Sequence, residues 1–117
     1  MIAGNWKMHM TCAQAKQYAA AFLPQVANAP KDRSIVLAPP FTAISTLQEA
    51  LAGSDVQIAS QNVHWEASGA FTGEISAEML LELGVGYQSW ATASRANTSL
   101  RVTSRSTNGL APPKPLA

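Results

Sequence analysis

At 117 residues, of which 47% are hydrophobic, the chain is long enough for one modest domain with an apolar core. Eight basic residues against seven acidic ones give a formal net charge of +1, so neither nucleic acid nor an anionic membrane is expected as a partner. A single cysteine, Cys12, excludes an intrachain disulfide, and with no signal-peptide pattern and no apolar run near the ~20 residues that span a bilayer, we expect a cytoplasmic protein.

The first part of the chain has the pattern of alternating strands and helices. A short strand is predicted over 2–7, and Thr11 with Gln14 three residues later forms a capping-box pattern at the start of a helix. Apolar residues then recur at helical spacing until Pro24, which is expected to kink or end the helix. A strand is predicted over 34–38, where the four residues after Ser34 are all apolar, which is typical of a strand buried on both faces.

The same alternation continues to residue 87. The remaining predicted elements are a helix over 43–51 that Gly53 ends, a strand over 56–60, a polar and aromatic loop over 61–73, a helix over 77–83 that Ser76 caps, and the start of a strand over 85–87. This pattern indicates βαβ units with a parallel sheet. A closed eight-stranded barrel and an open doubly wound sheet both fit it. The first strand is not followed by a Gly-rich phosphate-binding turn, which argues against a dinucleotide-binding sheet.

Residues 88–117 break this pattern. They contain five Ser, four Thr, three Arg and no acid, whereas residues 1–87 contain all seven acids and only four bases. We therefore divide the chain into a folded part over 1–87 and a basic, disordered tail over 88–117. The arginines of the tail are too sparse to favour nucleic-acid binding.

Four short motifs stand in the folded part. They are Asn-Trp-Lys-Met at 5–8, Ala-Pro-Pro-Phe-Thr at 38–42, Gln-Asn-Val-His-Trp at 61–65 and Gly-Ala-Phe-Thr-Gly-Glu-Ile-Ser at 69–76. In this order and spacing they resemble the N-terminal part of the triosephosphate isomerase family over residues 2–87. The resemblance implies an α/β fold, the N-terminal portion of a (β/α)₈ barrel that is incomplete in this chain.

The resemblance also implies a reaction. The family interconverts dihydroxyacetone phosphate and D-glyceraldehyde 3-phosphate by proton transfer through an enediolate, a step of glycolysis and gluconeogenesis that needs no cofactor. Asn5 and Lys7 match the family's substrate-binding positions at the end of the first strand. Two residues apart on a strand, they are expected to point to the same side, where the ammonium of Lys7 can neutralise a phosphate or an enediolate oxygen. A surface lysine beside a turn asparagine is the alternative.

The third loop is expected to form a homodimer interface, again by resemblance. The implied interface residues are Met8, His9, Phe71, Thr72, Gly73 and Glu74. The physical argument is that Phe71, set between small residues, is costly to leave in water. His64 is interpreted as structural. No metal site is expected, because the ligand-type residues do not cluster.

The family's catalytic histidine and glutamate have no counterpart here. The histidine belongs to a Gly-His-Ser-Glu segment after the fourth strand, and the base lies further along the family sequence. We expect this chain to lack catalytic residues and to be inactive alone. The alternative is a non-enzymatic fragment that engages intact subunits through the third loop.

A shifted reading frame is one explanation for the break after Tyr87. Residues 90–94 can be encoded as TGG GCC ACA GCG AGC, and the same bases read from the third position spell Gly-His-Ser-Glu. Residues 97–101 can likewise give Tyr-Phe-Ala-Glu in that frame, which also resembles the family. The nucleotide sequence tests this hypothesis, because a frame without a fourth-strand catalytic segment would refute it.

Overall fold

The computed structural model describes residues 1–88 as alternating strands and helices. The elements are β1 (Ile2–Asn5), α1 (Cys12–Val26), β2 (Ile35–Ala38), α2 (Phe41–Ala50), β3 (Gln57–Ser60), α3 (Ala77–Glu82) and β4 (Tyr87–Gln88). Each predicted element is present, with ends shifted by at most two residues. The predicted disordered tail is wrong at its first residue, because Gln88 belongs to β4, and the rest of the tail lies outside the described residues.

The strands form one parallel sheet in the order β1-β2-β3-β4. Consecutive strands are therefore neighbours, and a helix or helix-containing segment connects each pair. A doubly wound sheet instead reverses its strand order at a switch point. The sequential order is that of a barrel wall, and it removes the open-sheet alternative. Within residues 1–88 the wall is open, with β1 and β4 at its two edges.

The core lies mainly between the sheet and its helices. Leu37 of β2 and Ile58 of β3 are buried there against Ile44 and Leu47 of α2, which are fully buried. The opposite face of the sheet carries a separate buried cluster of smaller side chains, namely Val36, Ala38 and Ala59. Because strand side chains alternate between faces, this division explains why β2 is apolar throughout.

The helix boundaries follow local chemistry. The capping box at α1 is confirmed: the Gln14 backbone N–H donates to Thr11 Oγ1 at 3.4 Å, and the Thr11 N–H donates to Gln14 Oε1 at 2.9 Å. Ser76 caps α3 by accepting from the Met79 N–H at 3.3 Å. Pro24 lies inside α1, in its last turn, and the helix ends two residues later at Val26. The helix accommodates the proline there because its ring removes only one of the final backbone hydrogen bonds.

Among residues 1–88, no helix combines the length and the apolar character that crossing a membrane requires.

Candidate active site

The candidate site lies at the carboxyl ends of the strands. Asn5 is the last residue of β1 and stands opposite Ala38, the last residue of β2. Lys7 follows two residues after the strand, and both side chains are exposed. Barrel enzymes build their active sites at this rim, whereas the opposite rim serves stability. The structure therefore has Asn5 and Lys7 at the rim where the sequence predicted a substrate site.

The backbone at Lys7 differs from the predicted strand. β1 ends at Asn5, and Lys7 has a φ of +53°, in the left-handed region that non-glycine residues adopt infrequently. Strand alternation therefore does not orient Lys7, contrary to the sequence argument. Its orientation comes instead from the Asn5 side chain, whose Oδ1 accepts a hydrogen bond from the Lys7 backbone N–H at 2.8 Å.

Gln61 joins this site, and the sequence argument missed it. It follows β3 directly, and its Nε2 donates to the Lys7 carbonyl at 2.9 Å and to the Ala38 carbonyl at 2.8 Å. The ends of three neighbouring strands are thereby linked through one amide. A polar residue immediately after a buried strand was the available signal, because the carboxyl ends of parallel strands lie side by side.

The third loop, here called loop 3 and defined as residues 61–75, is closed at its base. The His64 backbone N–H donates to the Ile75 carbonyl at 2.7 Å, and His64 forms a single parallel bridge with Ser76. Asn62 Nδ2 donates to Glu74 Oε2 at 3.0 Å across the same base. Loop 3 thus has its two ends together, as in a compact Ω-loop.

Aromatic rings pack against one another in loop 3. The His64 ring contacts those of Trp65 and Phe71, with ring centroids 4.3 and 4.2 Å away. Its Nδ1 is 4.0 Å from Glu74 Oε2, and the side chain is 10% exposed. This placement agrees with the structural role expected for His64. Loop 3 is thus packed against itself within the described residues.

The predicted interface residues lie on the surface, with one exception. Met8 is 93% exposed and Phe71 is 44% exposed, and His9, Thr72 and Gly73 are exposed as well. Glu74 is only partly exposed, because its carboxylate turns inward toward Asn62 and His64. Among residues 1–88, large apolar side chains therefore remain in solvent on both loops that the sequence assigned to an interface.

Gly69 leaves space for the Phe71 ring, which lies close to the Gly69 backbone, and a substitution tests this contact. It has a φ of +145°, and a Cβ at this position would lie 2.6 Å from Phe71 Cε2. We expect Gly69→Ala to displace the Phe71 ring and open loop 3, since it adds a clash to a backbone strain on the order of 1–3 kcal/mol. Hydrogen exchange of the amides in loop 3 measures the opening.

Gly53→Ala is the matched control for that experiment. Gly53 also has a positive φ, +82°, but a Cβ there would meet nothing within 4 Å. The control shares the backbone strain and lacks the clash, so it should leave exchange in loop 3 unchanged. Equal exchange in the two variants would contradict the role assigned to Gly69.

Other features of the described residues do not form a second site. A cavity of about 800 Å³ lies near the amino ends of β2 and β3, where Ile35 and Gln57 are among its lining residues. It is at the far end of the strands from Asn5 and Lys7. Residues 1–88 contain no group of three ligand-type side chains that could hold a metal ion.

Comparison with known proteins identifies the family. The family model described as "Triosephosphate isomerase" matches residues 1–89. A triosephosphate isomerase of Synechococcus sp. (strain RCC307) is 97% identical over 87 residues, covering 74% of this chain and 34% of that protein. A triosephosphate isomerase of Prochlorococcus marinus (strain MIT 9211) is 55% identical over 120 aligned positions, which cover 96% of this chain and 49% of that protein.

The fold comparison agrees. The crystal structure of triosephosphate isomerase from Bartonella henselae superimposes with a TM-score of 0.71 at 29% identity, covering 82% of this chain and 39% of that one. The chain thus spans about a third to a half of the length of these relatives. Because the family model covers most of the chain and the strands follow the order of a barrel wall, the chain belongs to the triosephosphate isomerase family.

Proposed function

We propose that this chain carries the N-terminal part of the substrate site of a triose-phosphate isomerase. The proposed substrates are dihydroxyacetone phosphate and D-glyceraldehyde 3-phosphate. Asn5 and Lys7 contact the substrate at the carboxyl rim, and no cofactor takes part. The observation that carries the proposal is the position of Lys7, an exposed lysine whose backbone N–H is held by the Asn5 side chain next to the ends of β1 and β2.

The chemistry available to these residues is binding and charge stabilisation. The Lys7 ammonium can neutralise a phosphate or the oxygen that becomes negative as an enediolate forms, and such a preorganised charge lowers the barrier. Isomerisation needs a base that removes a proton from carbon and an electrophile that polarises the carbonyl. The family's Gly-His-Ser-Glu segment, which supplies the electrophile, does not occur among these 117 residues, and no residue here matches the family's base. We therefore assign binding to this chain and no acid–base step.

A second candidate is supported by the packing of loop 3. Its rings are already packed together, with Trp65 at 65% and Phe71 at 44% exposure. A preformed apolar loop fits an interface with a second copy of the chain or with an intact isomerase subunit. In this alternative the chain is a non-enzymatic fragment that forms mixed assemblies through Met8, His9 and the segment 71–74.

A substrate-binding titration and an isomerase assay test the first proposal. The 117-residue chain alone should bind dihydroxyacetone phosphate and show no turnover above the buffer background. Turnover by the pure chain would overturn our assignment of binding without acid–base chemistry. Absence of binding at substrate concentrations up to the millimolar range would overturn the substrate site.

The same assay tests the interaction alternative when the chain is mixed with the intact Synechococcus enzyme. Mixed assemblies should lower the specific activity in proportion to added chain, and a tagged chain should co-elute with the intact subunit. Phe71→Ala should abolish both effects, whereas Leu81→Ala, at a 47% exposed apolar position on α3, should not. Equal behaviour of the two variants would argue against docking through loop 3.

A further inference from the structure

We infer that Gln61 is a positioning residue for Lys7, an inference that rests on the proposed substrate site. Lys7 lies outside the strand ladder, so the sheet does not hold its backbone. Both of its backbone polar groups are held by side chains instead: its N–H by Asn5 and its carbonyl by Gln61. The left-handed φ of +53° is thus supported from both sides.

The orientation of the Gln61 amide follows from its surroundings. Its two acceptors are the carbonyls of Lys7 and Ala38, at 2.9 and 2.8 Å. An NH₂ group has two hydrogens and satisfies both, whereas the amide oxygen in that place would face two other oxygens. The bond lengths are those of good N–H···O hydrogen bonds. Only the donor end of the amide fits.

The contact also fixes the Lys7 segment to the sheet. The Ala38 carbonyl, at the end of β2, accepts a second hydrogen bond from the Trp6 N–H at 3.0 Å. Gln61 itself stands at the end of β3, so the bonds tie the loop after β1 to the two strands beside it. The backbone that carries the Lys7 side chain is therefore held at the rim in part by a residue distant in sequence. Gln61 acts on the substrate through Lys7 and not by touching it.

Removing this amide should loosen Lys7 selectively. We expect Gln61→Ala in the 117-residue chain to lower the hydrogen-exchange protection of the Lys7 amide about tenfold, the size expected from losing one or two hydrogen bonds. Protection of Leu37 and Ile58, inside β2 and β3, should change less than twofold. The affinity for dihydroxyacetone phosphate should fall by a similar factor.

Gln57→Ala is the matched control, because Gln57 is an exposed glutamine at the other end of β3. It should leave both the Lys7 amide and the affinity unchanged. If Gln61→Ala alters the Lys7 amide no more than Gln57→Ala does, the positioning role is refuted. Uniform loss of protection across the strands would show a structural role and would also refute it.

Gln61→Glu should make the hydrogen-exchange protection of the Lys7 amide depend on pH. At neutral pH the carboxylate offers no donor to the two carbonyls, so protection at Lys7 should be lost as in Gln61→Ala. Below the carboxyl pKa the protonated side chain regains one O–H donor, and the protection factor, corrected for the intrinsic exchange rate, should partly recover. Gln61→Ala should show no recovery. A flat profile for Gln61→Glu would contradict the inference.

The two readouts separate this inference from the proposed function. If Gln61→Ala frees the Lys7 amide but the unaltered chain does not bind dihydroxyacetone phosphate, the positioning role stands and the substrate site fails. If the unaltered chain binds and Gln61→Ala leaves the Lys7 amide protected, the substrate site stands and the positioning role fails.

Discussion

Replacing Lys7 by methionine is expected to weaken binding of dihydroxyacetone phosphate by about 1.5–3 kcal/mol, which corresponds to roughly tenfold or more in Kd. Methionine keeps an unbranched stem and removes the ammonium, so the change isolates the charge. A titration followed by the phosphorus resonance of the ligand measures the effect. Lys7→Arg should give an intermediate loss, because a planar guanidinium does not replace a compact ammonium at a fitted site.

Lys31→Met is the control for charge alone. Lys31 is an exposed lysine that lines the cavity at the amino ends of β2 and β3, at the far end of the strands from Lys7, and its replacement changes the net charge by the same amount. We expect its Kd to stay within twofold of the unaltered chain. Equal weakening by the two substitutions would show nonspecific electrostatic attraction and would remove Lys7 from the site.

Replacing Leu47 by alanine is expected to lower the free energy of unfolding by about 2–5 kcal/mol. Leu47 lies on α2, is fully buried, and belongs to the cluster that joins the helices to β2 and β3. The loss combines the transfer free energy of the removed atoms with the cavity that remains. Urea denaturation followed by far-UV circular dichroism measures it.

Leu81→Ala is the matched control for this prediction. Leu81 lies on α3 and is 47% exposed, so its truncation should change the free energy of unfolding by about 0.5 kcal/mol or less. A loss below 1 kcal/mol for Leu47→Ala would mean that the cluster around α2 is not the centre of the fold.

Much of the fold could be predicted because it depends on contacts close in sequence. The Thr11–Gln14 capping box spans three residues, and so does the Ser76 cap of α3. Apolar periodicity placed the buried faces of α1 and α2, since it reflects which residues face the sheet. Boundaries were less accurate: β1 ends at Asn5 and not at Lys7, because the backbone turns into the left-handed region there.

The candidate site was predicted in part. The motif at 5–8 identified Asn5 and Lys7, and their place at the carboxyl rim follows from any parallel βαβ arrangement. Gln61 was not identified, because its two bonds join residues 54 and 23 positions apart in the chain. The inward turn of Glu74 was likewise missed, since it depends on how loop 3 closes on Asn62 and His64.

By itself the sequence determined the alternation of strands and helices, the positions of the caps and, through four short motifs, the family. These features depend on side-chain type at short spacing. The four motifs also selected the barrel over the open sheet, and the strand order confirms that choice. Only the tertiary structure brought Gln61 to Lys7 and turned Glu74 toward Asn62 and His64. Both outcomes depend on which groups distant in the chain lie side by side, because hydrogen bonds form between neighbours in space.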